Sequence, residues 1–547
     1  MTDRGTAAPL LVRTWAPAAA GVLAALAGLA TAQVGAALLG AGGSPVLALA
    51  DQVIAHSPAA VRDRAIDLLG TADKPVLVVA VLVVTLGLAA LLGTAGRRRP
   101  GVVWPGAVLL AGLGSAAVLG RPGARPVEAL PTLVGALVAG AALDALARRL
   151  PGPTAAAATA ATAAADSTEA DSTEADPTTA DPTTAELADP GWPDRRGFLR
   201  AAAGTGLVTV VAGFGGRFLD RRRAAAAASR AAITIPAPAA PAPPVPAGAE
   251  LGVPGVAPLR TPAADFYRID TALVVPALRA EDWSLRVHGM VDRELRLSYA
   301  DLLARPLIER DVTLSCVSNE VGGDLISSGR WIGAPLGPLL AEARVRPGAD
   351  QLVGRSTDGW TAGTPVATVL DGRDAMLAVA YNGEPLPIEH GFPVRMLVPG
   401  LYGYVSATKW LIDLELTTFD AYDAFWIRRG WAARAPVKTA SRIDTPRDGS
   451  SKRAGPVVVA GVAWAQRRGI GRVEVRVDEG PWAAAELAPA IGPDTWRQWR
   501  WRWDATPGRH VLDVRATDGT GAVQTGASRP PVPDGATGWH RVEVEVG

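Results

Sequence analysis

The sequence predicts a multidomain chain, with an N-terminal α-helical membrane bundle, a globular middle and a C-terminal all-β sandwich. Three observations carry this reading. Four long apolar stretches lie within residues 1–150. A low-complexity tract from Pro151 separates them from a polar, tryptophan-rich remainder. From Pro436 onward, short alternating segments such as Val457–Ala465, Val473–Val477, Trp496–Trp503 and His510–Ala516 are divided by Gly, Pro and Asp turns, as strands of a sandwich are. A length of 547 residues is also too great for one domain.

The apolar stretches run about Trp15–Leu39, Pro75–Ala95, Gly101–Leu119 and Val127–Leu146. Each approaches the roughly 20 residues that cross a bilayer core. Their near lack of internal charge argues against a buried bundle of a soluble protein. The mixed segment Asp51–Lys74 suits an amphipathic surface helix. Arg4 and Arg13, Arg97–Arg99, and Arg148 with Arg149 flank the spans so as to place the N-terminus and the end of the fourth helix in the cytoplasm. The opposing Arg62, Arg64, Lys74, Arg121 and Arg125 are more dispersed.

Residues 151–192 contain the repeat ADSTE-ADSTE-ADPTT-ADPTT from Ala165. Small, acidic and proline residues bury no apolar surface, so a disordered tether is expected. Within 193–223, Arg195-Arg196-Gly197-Phe198-Leu199 precedes a mild apolar run, Ala201–Phe218. This resembles a twin-arginine export signal, which also serves as a fifth membrane helix; a plain fifth helix with a basic flank is the competing reading. Either way the remainder is expected on the outer face of a bacterial cell membrane. Arg221–Arg223 on that side oppose the positive-inside rule, which a dedicated export machine would override. Ala224–Ala232 suits a cleavage site. Residues 224–260 include the Pro/Ala-rich Ala237–Val256, expected as a stiff extended spacer. The globular part then begins near Thr261.

Composition narrows the chemistry. A net charge of +1 gives a nucleic-acid partner no electrostatic support. The single cysteine, Cys316, excludes a disulfide framework, a Cys-rich zinc site, an iron–sulfur cluster and a CxxCH haem. Five histidines (His56, His288, His390, His510 and His540) argue against a metal held by several imidazoles. None lies in the four spans, so no bis-His haem is expected. Any metal should arrive already held by an organic cofactor.

The middle region carries ordered motifs. Phe266-Tyr267-Arg268-Ile269-Asp270 leads in, followed by Trp283–Gly289 and Leu297–Leu303. Next come Val312-Thr-Leu-Ser-Cys316-Val-Ser-Asn319 and Gly329–Leu336, then Ala380–Pro387, His390-Gly-Phe-Pro-Val-Arg395 and Thr408-Lys409-Trp410-Leu411. Cys316 ends a β-type run ahead of turn-forming residues, which would present its sulfur at a strand end. Arg395 offers a planar fork for phosphate and Lys409 a point charge. His390 precedes a Gly-Phe-Pro turn. Outside its motif, a lone cysteine is a small buried hydrophobe. His288 alternates with apolar neighbours as a structural strand residue does, and Asp358, Asp371 and Asp374 lie in turn-rich, solvated segments.

Together these motifs resemble the molybdopterin domain of the sulfite-oxidase family. The resemblance implies an α+β sulfite-oxidase-like molybdopterin domain over 261–435 and an immunoglobulin-like sandwich over 436–547. The latter rests on Arg442-Ile-Asp-Thr-Pro446 and Gly461-Val-Ala-Trp464, and implies a homodimer through the C-terminal domain. Trp499, Trp501 and Trp503 fall on one strand face, where they should pack a sheet. The implied cofactor is molybdenum–molybdopterin, with Cys316 as metal ligand and Arg268 at the active site. Its pocket is lined by Tyr267, Arg268, Ser318, Asn319, Thr357, His390, Arg395, Ser406, Thr408 and Lys409. Electrons pass to or from an external partner, and the substrate is a small oxygen-atom donor or acceptor.

The sequence departs from the sulfite oxidases after the cysteine, where Val317-Ser318-Asn319-Glu320-Val321 stands in place of Ala-Gly-Asn-Arg-Arg. Arg428-Arg429-Gly430-Trp431 stands where they carry an Arg-Arg-Asp run and a tyrosine. A carboxylate at Glu320 beside the metal would disfavour an anion and favour a neutral sulfoxide or N-oxide. The opposing expectation is that Glu320 faces solvent or pairs with Arg330.

Overall fold

The computed structural model describes residues 7–38, 45–58, 61, 64–65, 68–69, 72–121, 124–150 and 215–547. The chain divides into two compact units, Met1–Arg221 and Arg222–Gly547. The acidic repeat, Arg195-Arg196 and most of the apolar run after them lie outside the described residues.

The first unit is helical, with α1 Ala7–Leu38, α2 Pro45–His56, α3 Asp73–Arg98, α4 Val103–Leu119 and α5 Leu130–Ala147. Glycines let the helices touch backbone to backbone. A Cβ on Gly93 would fall 2.2 Å from the Pro17 carbonyl oxygen, and one on Gly28 2.5 Å from that of Gly135. Large apolar side chains such as Val79, Leu91, Val108 and Leu137 point outward instead. Among the described residues three helices, Trp15–Ala36, Asp73–Arg98 and Pro126–Ala147, are long and apolar enough to cross a membrane. The third expected span, Gly101–Leu119, contains a 17-residue apolar helix, about 25 Å long against a hydrocarbon core of about 30 Å. Of the segment Asp51–Lys74, expected as an amphipathic helix, α2 takes the start and stops at His56 shortly before Pro58; residues 61, 64–65 and 68–69 are helical as well, and much of the remainder lies outside the described residues. Arg121 holds Asp51 at 2.8 Å and ties α2 to the end of α4.

In the second unit the expected spacer is not free. Ala224–Ala231 completes helix α6, Gly215–Ala231, and Arg230 Nη2 donates to the Pro385 carbonyl at 2.7 Å. The chain beyond is extended, as its proline content requires, but its amides are engaged. Ala242 N donates to Glu309 at 3.0 Å, Leu251 N to Gln498 at 2.7 Å and Ala257 N to Asp444 at 2.8 Å. Composition reports the stiffness of this segment and not its docking.

The middle domain is mostly β, with only short helices (α7 Tyr299–Leu303, α8 Leu336–Ala343, α9 Val366–Val369, α10 Gly403–Ser406). Its strands are β1 Ser284–Gly289, β2 Leu295–Ser298, β3 Ile308–Ser315, β4 Ile326–Pro335, β5 Gln351–Ser356, β6 Thr361–Pro365, β7 Met376–Tyr381, β8 Glu384–Pro385, β9 Arg395–Leu397 and β10 Leu411–Thr417. One sheet has the order β2-β1-β10-β5-β6; the other is β3-β4-β7-β8, with β9 also on β7. Strand β7 is buried along its whole length and reads as a continuous apolar run. Asn382 and Gly383, both at positive φ, turn it into β8, the Asn-Gly hairpin that twisted strands favour.

The C-terminal region contains β11 Ala440–Thr445, β12 Ser450–Lys452, β13 Gly455–Trp464, β14 Ile470–Val477, β15 Ala483–Ala484, β16 Glu486–Leu487, β17 Arg497–Ala505, β18 Gly508–Asp518 and β19 His540–Val546. Sheets β11-β13-β17-β16 and β12-β19-β18-β14-β15 share one core containing Val459, Val473, Trp499, Trp503, Leu512 and Val544. The tryptophans pack the sheet as expected, Trp501 at the margin of that core.

The two β regions meet along β3. This strand lies at an edge of its sheet, and an open edge invites foreign pairing. Thr313 N donates to the Asp494 carbonyl at 2.9 Å, and Gln466 Nε2 to the Thr313 carbonyl at 3.0 Å. Trp496 N donates to Thr313 Oγ1 at 2.7 Å. The edge leading to Cys316 is thereby covered by the C-terminal region.

Candidate active site

Cys316 emerges directly from β3, and its amide donates to the Leu325 carbonyl at 2.9 Å. The intervening loop closes on itself. Asn319 N donates to the Cys316 carbonyl at 3.2 Å, and Asn319 Oδ1 accepts from Leu325 N at 2.8 Å. Burial pushes the thiol pKa up; the Ser318 amide and hydroxyl and the Val317 amide donate to the sulfur and oppose the rise. These donors serve a thiolate, the form that binds metal.

The second part of the site is built where the turn at His390 meets Arg395 and the segment Ala407–Trp410. Gly391, at φ 112, lies flat on both: a Cβ there would sit 3.1 Å from Arg395 Cβ and from Lys409 Cα. Trp410 Nε1 pins the turn through the Ile388 carbonyl at 2.7 Å. Met396 N donates to the Thr408 carbonyl at 2.9 Å.

These contacts concentrate positive charge in a buried place. Arg395 is 4% exposed, with Nη1 donating to the His390 carbonyl at 3.2 Å. Its guanidinium lies 5.2 Å from the Trp331 ring, and burial lowers its pKa to about 10. Burial likewise lowers Lys409 to about 8, even though Asp270 Oδ2 lies 2.7 Å away. The same oxygen takes Arg268 Nε at 2.9 Å. His390 is pushed down to about 3 by burial first and then by Arg395 and Lys409, so its ring is neutral at pH 7. Tyr267 stacks on Phe266 at 5.2 Å. Burial and Cys316 raise its phenol pKa while Arg395 opposes them, which puts Tyr267 in electrostatic reach of both halves of the site.

A molybdopterin group carries a phosphate and sulfur donors, and the residues fit it. Arg395 Nε, Thr408 Oγ1 and Ser356 Oγ are buried without a hydrogen-bond partner. Orphaned buried donors beside a cationic cluster are costly unless an anion completes them. One carboxylate, Asp270, is shared by Arg268 and Lys409, while Arg395 has only carbonyls.

The structure thus brings together Tyr267, Arg268, His390, Arg395, Thr408 and Lys409, with Cys316 and Ser318 at the strand end. Thr357 joins through its amide, which donates to the Trp410 carbonyl at 3.0 Å. Two further expected pocket residues use their side-chain oxygens within the protein. The Ser406 hydroxyl is directed at the Leu401 and Tyr402 carbonyls, both at 3.1 Å, and caps a turn. The Asn319 side-chain oxygen is used in closing the cysteine loop. Glu320 is exposed, and Arg330 pairs with Asp311 at 2.7 Å instead, so the like-charge argument against an anionic substrate loses its basis. His288 pairs with Asp413 at 2.9 Å, a strand contact as expected. Asp371 and Asp374 form ion pairs with Arg373 and Arg310, at 2.7 and 2.8 Å. Sequence reasoning missed Asp270, which ends a motif already singled out, and Ser356, the neighbour of Thr357.

Comparison with known proteins agrees with this chemistry. Residues 272–426 match the family model described as oxidoreductase molybdopterin binding domain. Mitochondrial sulfite oxidase of Rattus norvegicus is 31% identical over 328 residues, covering 50% of this chain and 59% of the relative. An uncharacterised oxidoreductase of Bacillus subtilis, YuiH, is 35% identical over 152 residues, covering 28% of this chain and 73% of the relative. The chain therefore spans less than two thirds of the sulfite oxidase and more than two thirds of the bacterial relative. Among solved structures, the sulfane dehydrogenase SoxCD from Paracoccus pantotrophus is 26% identical, covering 52% of this chain and 81% of that chain at a TM-score of 0.46.

Proposed function

This chain belongs to the sulfite-oxidase family of molybdopterin-dependent oxidoreductases, and from that premise we propose a membrane-anchored enzyme that moves one oxygen atom to or from a small substrate. The observation that carries the reading is Arg395, buried with Nε unpartnered, beside Lys409 and His390. When bound, the molybdenum–molybdopterin group supplies two-electron oxygen-atom-transfer chemistry. Cys316 offers its sulfur as thiolate, steadied by the donors of Val317 and Ser318. Arg395 and Lys409 take the phosphate, with Thr408 and Ser356 as neutral donors and His390 as an uncharged hydrogen-bonding ring. Arg268, 40% exposed at its side chain, orients the substrate, and Tyr267 stays protonated as a donor.

Oxidation of sulfite consumes water and releases two protons and two electrons; reduction of a sulfoxide or N-oxide consumes them and releases water. The exposed position of Glu320 favours keeping sulfite beside the neutral oxides. With one cysteine and five histidines in the sequence, the electrons pass to or from an external redox partner rather than a haem or iron–sulfur relay on the chain. Further parts of the proposal are an outer-face catalytic unit exported through Arg195-Arg196, and an immunoglobulin-like C-terminal sandwich joining two copies.

Molybdenum and pterin analysis of the purified chain tests the cofactor; a cofactor-free binding protein would contain neither. Cys316→Ser is expected to abolish turnover of sulfite or a sulfoxide while leaving a folded chain that retains pterin. Full activity in that variant would remove Cys316 from the metal. Replacing Arg195 and Arg196 with lysine is expected to leave the catalytic unit in the cytoplasm, read by outer-face labelling; unchanged labelling would favour a plain fifth helix.

A further inference from the structure

The loop that carries Cys316 is gripped from outside its own domain. Arg442 Nη1 donates to the Gly323 carbonyl at 2.7 Å. That arginine is itself fixed on Asp444 at 2.5 Å, with side-chain exposures of 11% and 7%. Gly322, at φ 81, lies against the His540 ring so closely that a Cβ would come within 2.1 Å of its Cδ2. His540 Nδ1 accepts from Ile443 N at 3.0 Å, so in the neutral ring the proton sits on Nε2, the nitrogen facing Gly322. A Cβ on Gly538 would lie 3.5 Å from Val321 Cγ2. All these outer partners belong to the C-terminal sandwich or the segment entering β19.

The inner side of the same loop faces the sulfur. The amides of Val317 and Ser318 and the Ser318 hydroxyl donate to Cys316. Asn319 links the two sides, since its amide returns to the Cys316 carbonyl and its side chain holds Leu325. A displacement of Gly322 or Gly323 therefore moves the donors that face the thiol. Gly322 has no room to adjust, because its positive φ and its contact with His540 both exclude a side chain.

We propose that Arg442 and His540 are positioning residues for the metal-binding thiolate: the C-terminal sandwich clamps Gly322 and Gly323, and so fixes the direction in which Cys316 presents its sulfur. The proposal rests on the cofactor reading above and deepens it. It assigns the sandwich a part in the chemistry of the site, apart from any role in joining subunits.

The single cysteine makes the test specific, because any thiol alkylation in this chain reports on Cys316. The full-length chain is prepared without cofactor, and its alkylation by iodoacetamide is timed at fixed pH. Arg442→Gln is expected to speed the reaction by about tenfold or more, the effect of losing one hydrogen bond to a charged donor, and Gly322→Ala, whose Cβ would meet the His540 ring, is expected to speed it likewise. Arg442→Lys should restore part of the protection. Arg500→Gln, at an exposed ion pair of the same sandwich, should react at the wild-type rate. In cofactor-loaded protein, Gly322→Ala should shift the thiolate-to-molybdenum absorption band. Should Arg442→Gln fail to fold, Gly322→Ala reads the same clamp from the loop side. Wild-type alkylation rates and an unshifted band in Gly322→Ala would overturn the proposal. Absence of molybdenum and pterin from the wild type, with alkylation still responding, would overturn the functional reading and leave the clamp standing.

Discussion

The cofactor pocket and the outer sheet of the C-terminal sandwich both bury charge, with opposite results. In the sheet, Asp513 is 2% exposed at its side chain and is held by Arg476 and Arg541, both at 2.9 Å. Glu474, at 8%, is held by Arg472 and Arg515 at 2.8 and 2.9 Å. Each buried carboxylate is ringed by cations that reach water. In the pocket it is the cation Arg395 that is buried, and it meets only carbonyls and a tryptophan ring. The sheet is electrically complete by itself, whereas the pocket is complete only with an anion. Buried charge is therefore satisfied within one region and makes the other conditional on its ligand.

The largest expected effect breaks the conditional side. Arg395→Leu should weaken cofactor retention by about a hundredfold or more, as truncating one partner of a buried charged pair does. In the cofactor-free chain the same change should leave the melting temperature unchanged or raise it, because a buried unpaired charge has been removed. Opposite signs in melts of the two forms, with molybdenum per chain measured in parallel, check this. A loss of stability in both forms would mean that the pocket resembles the sheet.

Asp513→Ala attacks the complete side and should be blind to the cofactor. Arg476 and Arg541 are 17% and 51% exposed at their side chains, so the loss is discounted for solvent to about 1–3 kcal/mol. Denaturant unfolding of loaded and cofactor-free protein should give the same difference.

The smallest effect is a slope. His390 is held near 3 in the folded chain, against about 6.5 when unfolded. A depressed folded pKa means that the unfolded chain takes up the proton first. Stability is then full above about 6.5 and falls as pH drops toward 3, by at most about 1.4 kcal/mol per pH unit. His390→Gln in the cofactor-free chain should flatten that part of the curve. An unchanged slope would show that the ring is not held neutral.

Much of the site was legible because its chemistry is concentrated in short motifs. Cys316 at a strand end and the Gly391 turn between His390 and Arg395 are local features, and residue type alone marks Arg395 and Lys409. What joins them is not local. The shared carboxylate of Asp270 acts across to Lys409, and Thr357 reaches Trp410 from the end of another strand. The expected spacer failed for a related reason, since Pro and Ala set its extension but its binding depends on Glu309, Gln498 and Asp444 far along the chain. The third expected span is shorter as a helix than its apolar run suggests, because a 3₁₀ turn, Pro100–Val102, takes its first residues.

The covered edge of β3 sets an order in time. Translation delivers Cys316 well before Gln466, Asp494 and Trp496, which close that edge, and before His540, which seats the loop. A nascent chain halted ahead of Gln466 would carry its cysteine on an open strand. A chain truncated before Gln466 is therefore expected to retain less molybdopterin than the full chain even with every pocket residue already made, read as molybdenum per chain.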